Sequence, residues 1–140
     1  MQPSEYSFDT ALSKGYVIRK TISNGNVHKD EIYNKHSLDE FIDNIKKGKS
    51  KEIVIVEFLD QKGVLSINKL CKLKFDGKNV TADYYDTITN KEEFKLTDTA
   101  KYKTVNVKDV GDGIKYFFTA DNNDEIQLIS FNKKEIKTNM

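Results

Sequence analysis

The chain is short of the residues on which most recognisable chemistry depends. Its 140 residues include one cysteine, Cys71, one proline, Pro3, one arginine, Arg19, and two histidines, His28 and His36. A lone cysteine excludes an internal disulfide framework and any paired-cysteine zinc or redox motif. The two histidines lack the i, i+4 helical pairing of a zinc hydrolase and read as surface residues. Basic residues number 23 against 22 acidic ones, for a net charge of +1, and the two signs are interleaved. No global field draws in a polyanion, and an almost arginine-free basic set lacks the rigid fork that reads phosphate or guanine, so nucleic acid is not expected as a partner. The longest apolar run, 53–56, is far below the ~20 residues needed to cross a bilayer, so no membrane span is expected. The opening Met1-Gln2-Pro3-Ser4-Glu5 has neither the basic nor the apolar segment of a signal peptide, although a leader removed and replaced by Met would leave the same start.

What is present suits a soluble folded domain. Hydrophobic residues make up 37%, aromatics 11% and charged residues 32%, enough apolar material for a core under a well-charged surface. A chain of this length buries roughly two thirds of its unfolded surface, so it needs neither disulfide nor metal for stability. One globular domain over residues 1–140 is expected, with short frayed termini at about 1–6 and 133–140.

Residues 8–14 place Phe8, Ala11 and Leu12 at helical spacing before Gly15, predicting a short helix. Residues 16–22 are rich in β-branched side chains and end at Ser23-Asn24-Gly25-Asn26, predicting a strand and turn. The polar, poorly periodic 26–36 reads as loop. Ser37 and Glu40 match a capping box, and Leu38, Phe41, Ile42 and Ile45 form one apolar stripe, ended by Gly48. The lysines at 46, 47, 49 and 51 read as a solvated helix end complementing the macrodipole. From Lys51 the period changes to two. Residues 52–59 are apolar on both alternations, as in a central strand covered on one face by a helix and partly covered on the other. In 64–75 the alternation breaks at Lys69 and Leu70, which predicts a bulge there. Further strands are read at 80–87, 93–96, 102–107, 114–119 and 125–131, joined by turn-like segments. The sum is an α+β fold with N-terminal helices packed on one face of an antiparallel meander sheet of about five to seven strands.

Catalytic chemistry is not legible in this pattern. Cys71 lies on an apolar strand face, where a thiol behaves as a small hydrophobe. The acidic segment 121–125 lacks the ligand spacing and central glycine of a calcium loop, and Gly111 and Gly113 feed a strand rather than a helix N-terminus. No catalytic residue, metal site or cofactor is assigned. Aromatics on strands are the best lead to a binding surface: Tyr84 and Tyr85 must face opposite sides of their strand, as must Tyr116 and Phe117, so one of each pair can stand outside the helix-covered core. These four are the candidate ligand-binding residues.

The segments Ser37-Leu38-Asp39-Glu40-Phe41, 49–58 with its Asp60-Gln61-Lys62-Gly63 turn, Leu73-Lys74-Phe75-Asp76-Gly77, 84–87, Phe94 and Ile114-Lys115-Tyr116-Phe117 together resemble a family of unknown function found in small exported proteins and lipoproteins of Gram-positive bacteria. The resemblance is one of pattern and spans rather more than half the chain. It implies export to the cell surface or beyond, with lipid anchoring through a cysteine outside the given chain, and it implies no activity. The pair of cysteines it implies near the end is missing here.

The expectation is therefore an exported binding or interaction domain without catalytic activity, whose partner is a protein, peptide or cell-envelope component met by a sheet face or by residues 24–36. Two alternatives stand beside it. One is a hydrolase or lyase whose carboxylates converge only in the fold, such as Glu57 with Asp60 or Asp83 with Asp86. The other is an immunity or inhibitor protein.

Overall fold

The computed structural model describes residues 3–90 and 92–137. The chain opens with a 3-10 turn, Pro3–Tyr6, and helix α1, Phe8–Ser13, whose cap Ser7 accepts from the Thr10 amide. Gly15, at φ +77°, then turns the chain into β1, Val17–Asn24, which pairs with β2, Val27–Tyr33, as a hairpin. Helix α2, Lys35–Lys46, crosses over the sheet to β3, Lys51–Gln61, which runs parallel to β1 with Val17 opposite Ile55. Parallel neighbours need such a crossover, because a tight turn can only reverse direction. Strands β4, Val64–Phe75, β5, Val80–Asp86, and β6, Lys95–Tyr102, then follow antiparallel, completing a six-stranded sheet in the order β2-β1-β3-β4-β5-β6. At Lys103 the chain leaves that sheet and forms a second one from β7, Thr104–Asp109, β8, Gly113–Thr119, and β9, Glu125–Asn132.

Alternation along β1 and β3 assigns two cores. Val17, Ile53 and Ile55 point to the inner face, where Leu38, Phe41 and Ile42 of α2 pack with Tyr116, Phe118, Ile129 and Phe131 of the second sheet. Ile18, Val56 and Phe58 point to the outer face and meet Tyr6, Ala11 and Phe94. Full burial of side chains such as Phe41 and Phe118 is worth about 1.5–3 kcal/mol each. A polar tie closes one end of the inner layer. Arg19 donates to the Ser130 carbonyl and lies 3.5 Å from Glu57, which is 3.6 Å from Lys69.

The fold is mostly β with few helices, and several expectations change. The larger sheet is mixed, and among the described residues nine strands form two sheets, so an antiparallel meander of five to seven strands does not describe the fold. The two helices lie on opposite faces of the larger sheet, because α1 follows the Ile18 side and α2 the Val17 side. Residues 27–33 form a strand, not a loop: backbone pairing with β1 holds them despite a polar surface. Helix α2 begins two residues before Ser37, behind Asn34 in the left-handed region at φ 58°. Ser37 does not cap it; its hydroxyl donates to the Gly15 carbonyl at 2.7 Å. Residues 3–6 and 133–137 are held by specific contacts. Tyr6 is buried, an Asn132–Glu135 capping box closes a 3-10 turn over Lys133–Glu135, and the Lys137 amide donates to the Ile32 carbonyl at 2.7 Å. Residues 1, 2 and 138–140 lie outside the described residues.

Two readings hold. β3 is covered on both faces, and the register of β3 against β4 shifts between Glu57 and Phe58, leaving Asn68 as the extra residue of a bulge beside Lys69.

Candidate functional site

The four candidate aromatics separate. Tyr116 is fully enclosed on the inner face of β8, and its hydroxyl donates to Asp39 Oδ1 at 2.5 Å. Burial and that carboxylate push its phenol far above the ordinary tyrosine value. Phe117, on the opposite face of β8, is only 8% exposed. Neither offers a ligand an open ring, so both leave the list of surface candidates. Tyr84 packs against the inner core beneath Lys69, whose ammonium lies 6.0 Å from its ring. Only Tyr85, on the outer face of β5, lines an open groove.

That groove holds about 740 Å³. Its floor is the outer face of β3, β4 and β5, where Val54, Lys72 and Asp83 stand side by side across three strands, with Tyr85 beyond. The α1–β1 turn, carrying Lys14, Gly15 and Tyr16, forms one wall, and His36, Ser37 and Glu40 of α2 close the end. The wall is fixed locally. Gly15 takes the left-handed turn, Ser37 bonds its carbonyl, and Asn34 Nδ2 donates to the carbonyls of Leu12 and Tyr16 at 3.1 and 2.9 Å.

Lys72 is the organising cation of the floor. Its Nζ lies 5.9 Å from the ring centroids of both Tyr6 and Tyr85. Tyr6 stacks on Tyr16 with centroids 6.1 Å apart, and Lys14 Nζ is 5.9 Å from the Tyr16 ring. Burial pushes the Tyr6 phenol up to about 12, and burial raises Tyr85 although Lys72 beside it pulls the other way. Among the described residues, neither Lys14, Lys51 nor Lys72 has a carboxylate within ion-pairing distance, whereas Lys74 is 3.7 Å from Glu52. Cations presented on aromatic rings in a concave, half-buried surface suit an anionic or polar ligand with flat or extended parts.

The carboxylate pairs considered for catalysis do not converge. Glu57 faces the inner layer with Arg19 and Lys69, while Asp60 accepts from the Gly63 amide in the β3–β4 turn. Asp83 accepts from Thr99, and Asp86 is held below the usual carboxylate range by the Ile88 amide and by Thr89, opposite to what a proton donor needs. In the groove itself the Ser37 hydroxyl proton is committed to the Gly15 carbonyl, away from His36. Burial pushes the Cys71 thiol up to about 12, far from a thiolate. No group of three or more His, Cys, Asp or Glu residues that could hold a metal exists among the described residues. No described helix is long and apolar enough to cross a membrane.

No protein-family model, curated protein or solved structure matches the chain.

Sequence reasoning missed Lys14, Tyr16 and Lys72. Lys72 did carry a signal, as a charged residue on the polar alternation of an otherwise apolar strand, but its placement between Tyr6 and Tyr85 depends on contacts 13 and 66 residues away in the chain.

Proposed function

We propose that the chain is a non-catalytic binding domain that takes a protein, peptide or cell-envelope component in the groove floored by Lys72 and Tyr85. The observation that carries this reading is Lys72 itself, half-buried against two tyrosine rings with no carboxylate partner among the described residues. A cation so placed is partly desolvated before any ligand arrives, so a ligand acid or hydroxyl meets it at reduced cost. Tyr16 and Tyr85 add apolar area with few rotatable bonds, the quality that makes tyrosine frequent at binding hot spots. The pattern resemblance to small exported proteins and lipoproteins of Gram-positive bacteria adds the second half of the proposal: export, with the partner at the cell surface.

The test is a titration of the isotopically labelled chain with soluble muropeptides and with short acidic and basic peptides, followed by backbone amide shifts. Shifts clustered at Tyr16, Lys72 and Tyr85, weakened in Lys72→Ala, support the reading. Shifts confined to other surfaces, or conversion of an added compound to product, overturn it.

A further inference from the structure

The groove contains a gap in the hydrogen-bond ladder of the larger sheet. β3 pairs with β4 along its whole length from Lys51, but its pairing with β1 starts only at Ile55, opposite Val17. Residues 51–54 thus have a neighbour strand on one side only. On the other side the α1–β1 turn and the first turn of α2 stand back, and the same groove opens between them. The backbone groups of alternate strand residues point to alternate sides, so alternate residues of 51–54 turn towards the gap, up to the first β1 pairing opposite Ile55. None of the backbone bonds made by turns, loops and caps involves residues 51–54, and no side chain among the described residues bonds their backbone. The open edge is about 13 Å long at roughly 3.3 Å per residue.

We propose that this gap takes an extended, acidic peptide segment as an added strand on β3, in line with β1. The inference rests on the reading of the groove as a binding site and names the ligand class and its mode of attachment. Main-chain pairing accounts for an extended ligand, because only a polypeptide backbone offers donors and acceptors at the spacing of a strand edge. The acidic character comes from the lysines around the gap. Lys14 stands on the wall, Lys51 at the start of the edge and Lys72 on the floor, and none of them is ion-paired among the described residues. Glu40, Glu52 and Asp83 line the same groove; Glu52 is paired with Lys74 at 3.7 Å and Asp83 is already engaged by Thr99 at 2.8 Å. Side chains of an added strand would alternate between the outer sheet face, over Glu52 and Val54 with Lys72 one strand further on, and the α2 side at His36 and Glu40.

The experiment is selection of a displayed library of random ten-residue peptides against the intact chain, followed by amide shift mapping and affinity measurement with the enriched peptide made synthetically. The expected result is proline-free, acid-bearing sequences whose binding shifts the amides of residues 51–54 together with those of Lys72 and Tyr85. N-methylation of alternate peptide amides should then weaken binding by about tenfold or more, equivalent to losing about one hydrogen bond. Binding indifferent to N-methylation, or no enrichment over an uncoated surface, overturns the added strand. Shifts at Lys72 and Tyr85 that leave residues 51–54 unmoved overturn it too, while leaving the groove as a binding site. Binding that moves neither group overturns both readings.

Discussion

Lys72 and Tyr85 occupy adjacent strands on one sheet face, with the ammonium 5.9 Å from the centre of the ring. Tyr6, delivered by the N-terminal turn, meets the same ammonium at the same distance. Contacts of this kind contribute about 0.5–1 kcal/mol each at partly exposed positions. Lys72→Ala is therefore expected to lower stability by no more than about 2 kcal/mol, leaving a folded protein in which the groove can be tested. A urea titration checks this, and a variant that fails to fold would mean that Lys72 is chiefly structural.

The Tyr116–Asp39 hydrogen bond joins the second sheet to α2, and Lys35 holds Asp39 from the other side at 2.6 Å. Tyr116→Phe keeps the ring and removes the bond. A hydrogen bond to a charged group is worth about 1.5–3 kcal/mol, reduced here because Asp39 stays partly solvated. We expect a loss of about 1–2 kcal/mol in a denaturant titration, and little additional loss when Asp39→Ala is combined with it. Equal and additive losses would show that the two residues act independently.

Asn34 combines a left-handed backbone with two side-chain bonds, to the carbonyls of Leu12 and Tyr16. Asn34→Gly relieves the backbone but loses the bonds, and Asn34→Ala loses the bonds and adds strain of about 1–2 kcal/mol. Both variants should be destabilised, with alanine worse than glycine by about 1 kcal/mol. The reverse order would mean that the turn relaxes to another conformation. Because these bonds hold the wall that carries Tyr16, ligand affinity should fall in both variants.

Much of the architecture was legible where the determinants are local. The 3.6-residue stripe of Leu38, Phe41, Ile42 and Ile45, the left-handed Gly15 and Gly48, the doubly apolar β3 and the bulge beside Lys69 all follow from neighbouring residues. β2 was not legible, because an edge strand with His28, Lys29, Asp30 and Glu31 in succession is held by its backbone ladder to β1 and carries no apolar alternation. The parallel pairing of β1 with β3 and the break into a second sheet at Lys103 are decided by which surfaces α2 and β8 can cover, a choice no short window records. The candidate site divides the same way. Tyr85 was legible as one of a pair facing opposite ways, but the choice between Tyr84 and Tyr85 needed the second sheet, which covers the inner face.

Alkaline pH should weaken the fold through its buried and half-buried thiol and phenols, Cys71, Tyr6 and Tyr33 among them. Burial raises the Cys71 thiol from its ordinary 9.0 to about 12 and the Tyr6 and Tyr33 phenols from 10.0 to about 12, with the Glu31 carboxylate adding to the effect on Tyr33. The folded chain holds these protons more tightly than the unfolded one, so their contribution is whole below pH 9 and is lost as the pH climbs towards about 12. Urea midpoints measured at steps from pH 7 to 11 should be level at first and fall above about 9, and in Cys71→Ala the onset should move to about 10. A midpoint constant to pH 11 would contradict the upward shift of these groups.

We propose that the groove at Lys72 and Tyr85 is where this protein meets its ligand. The most direct measurement is the affinity of one library-selected acidic peptide for the wild-type chain and for Lys72→Ala and Tyr85→Ala, each first shown to be folded. A loss of about tenfold or more is expected in each variant, as for residues at the centre of a binding surface. The same affinity for all three proteins would contradict it.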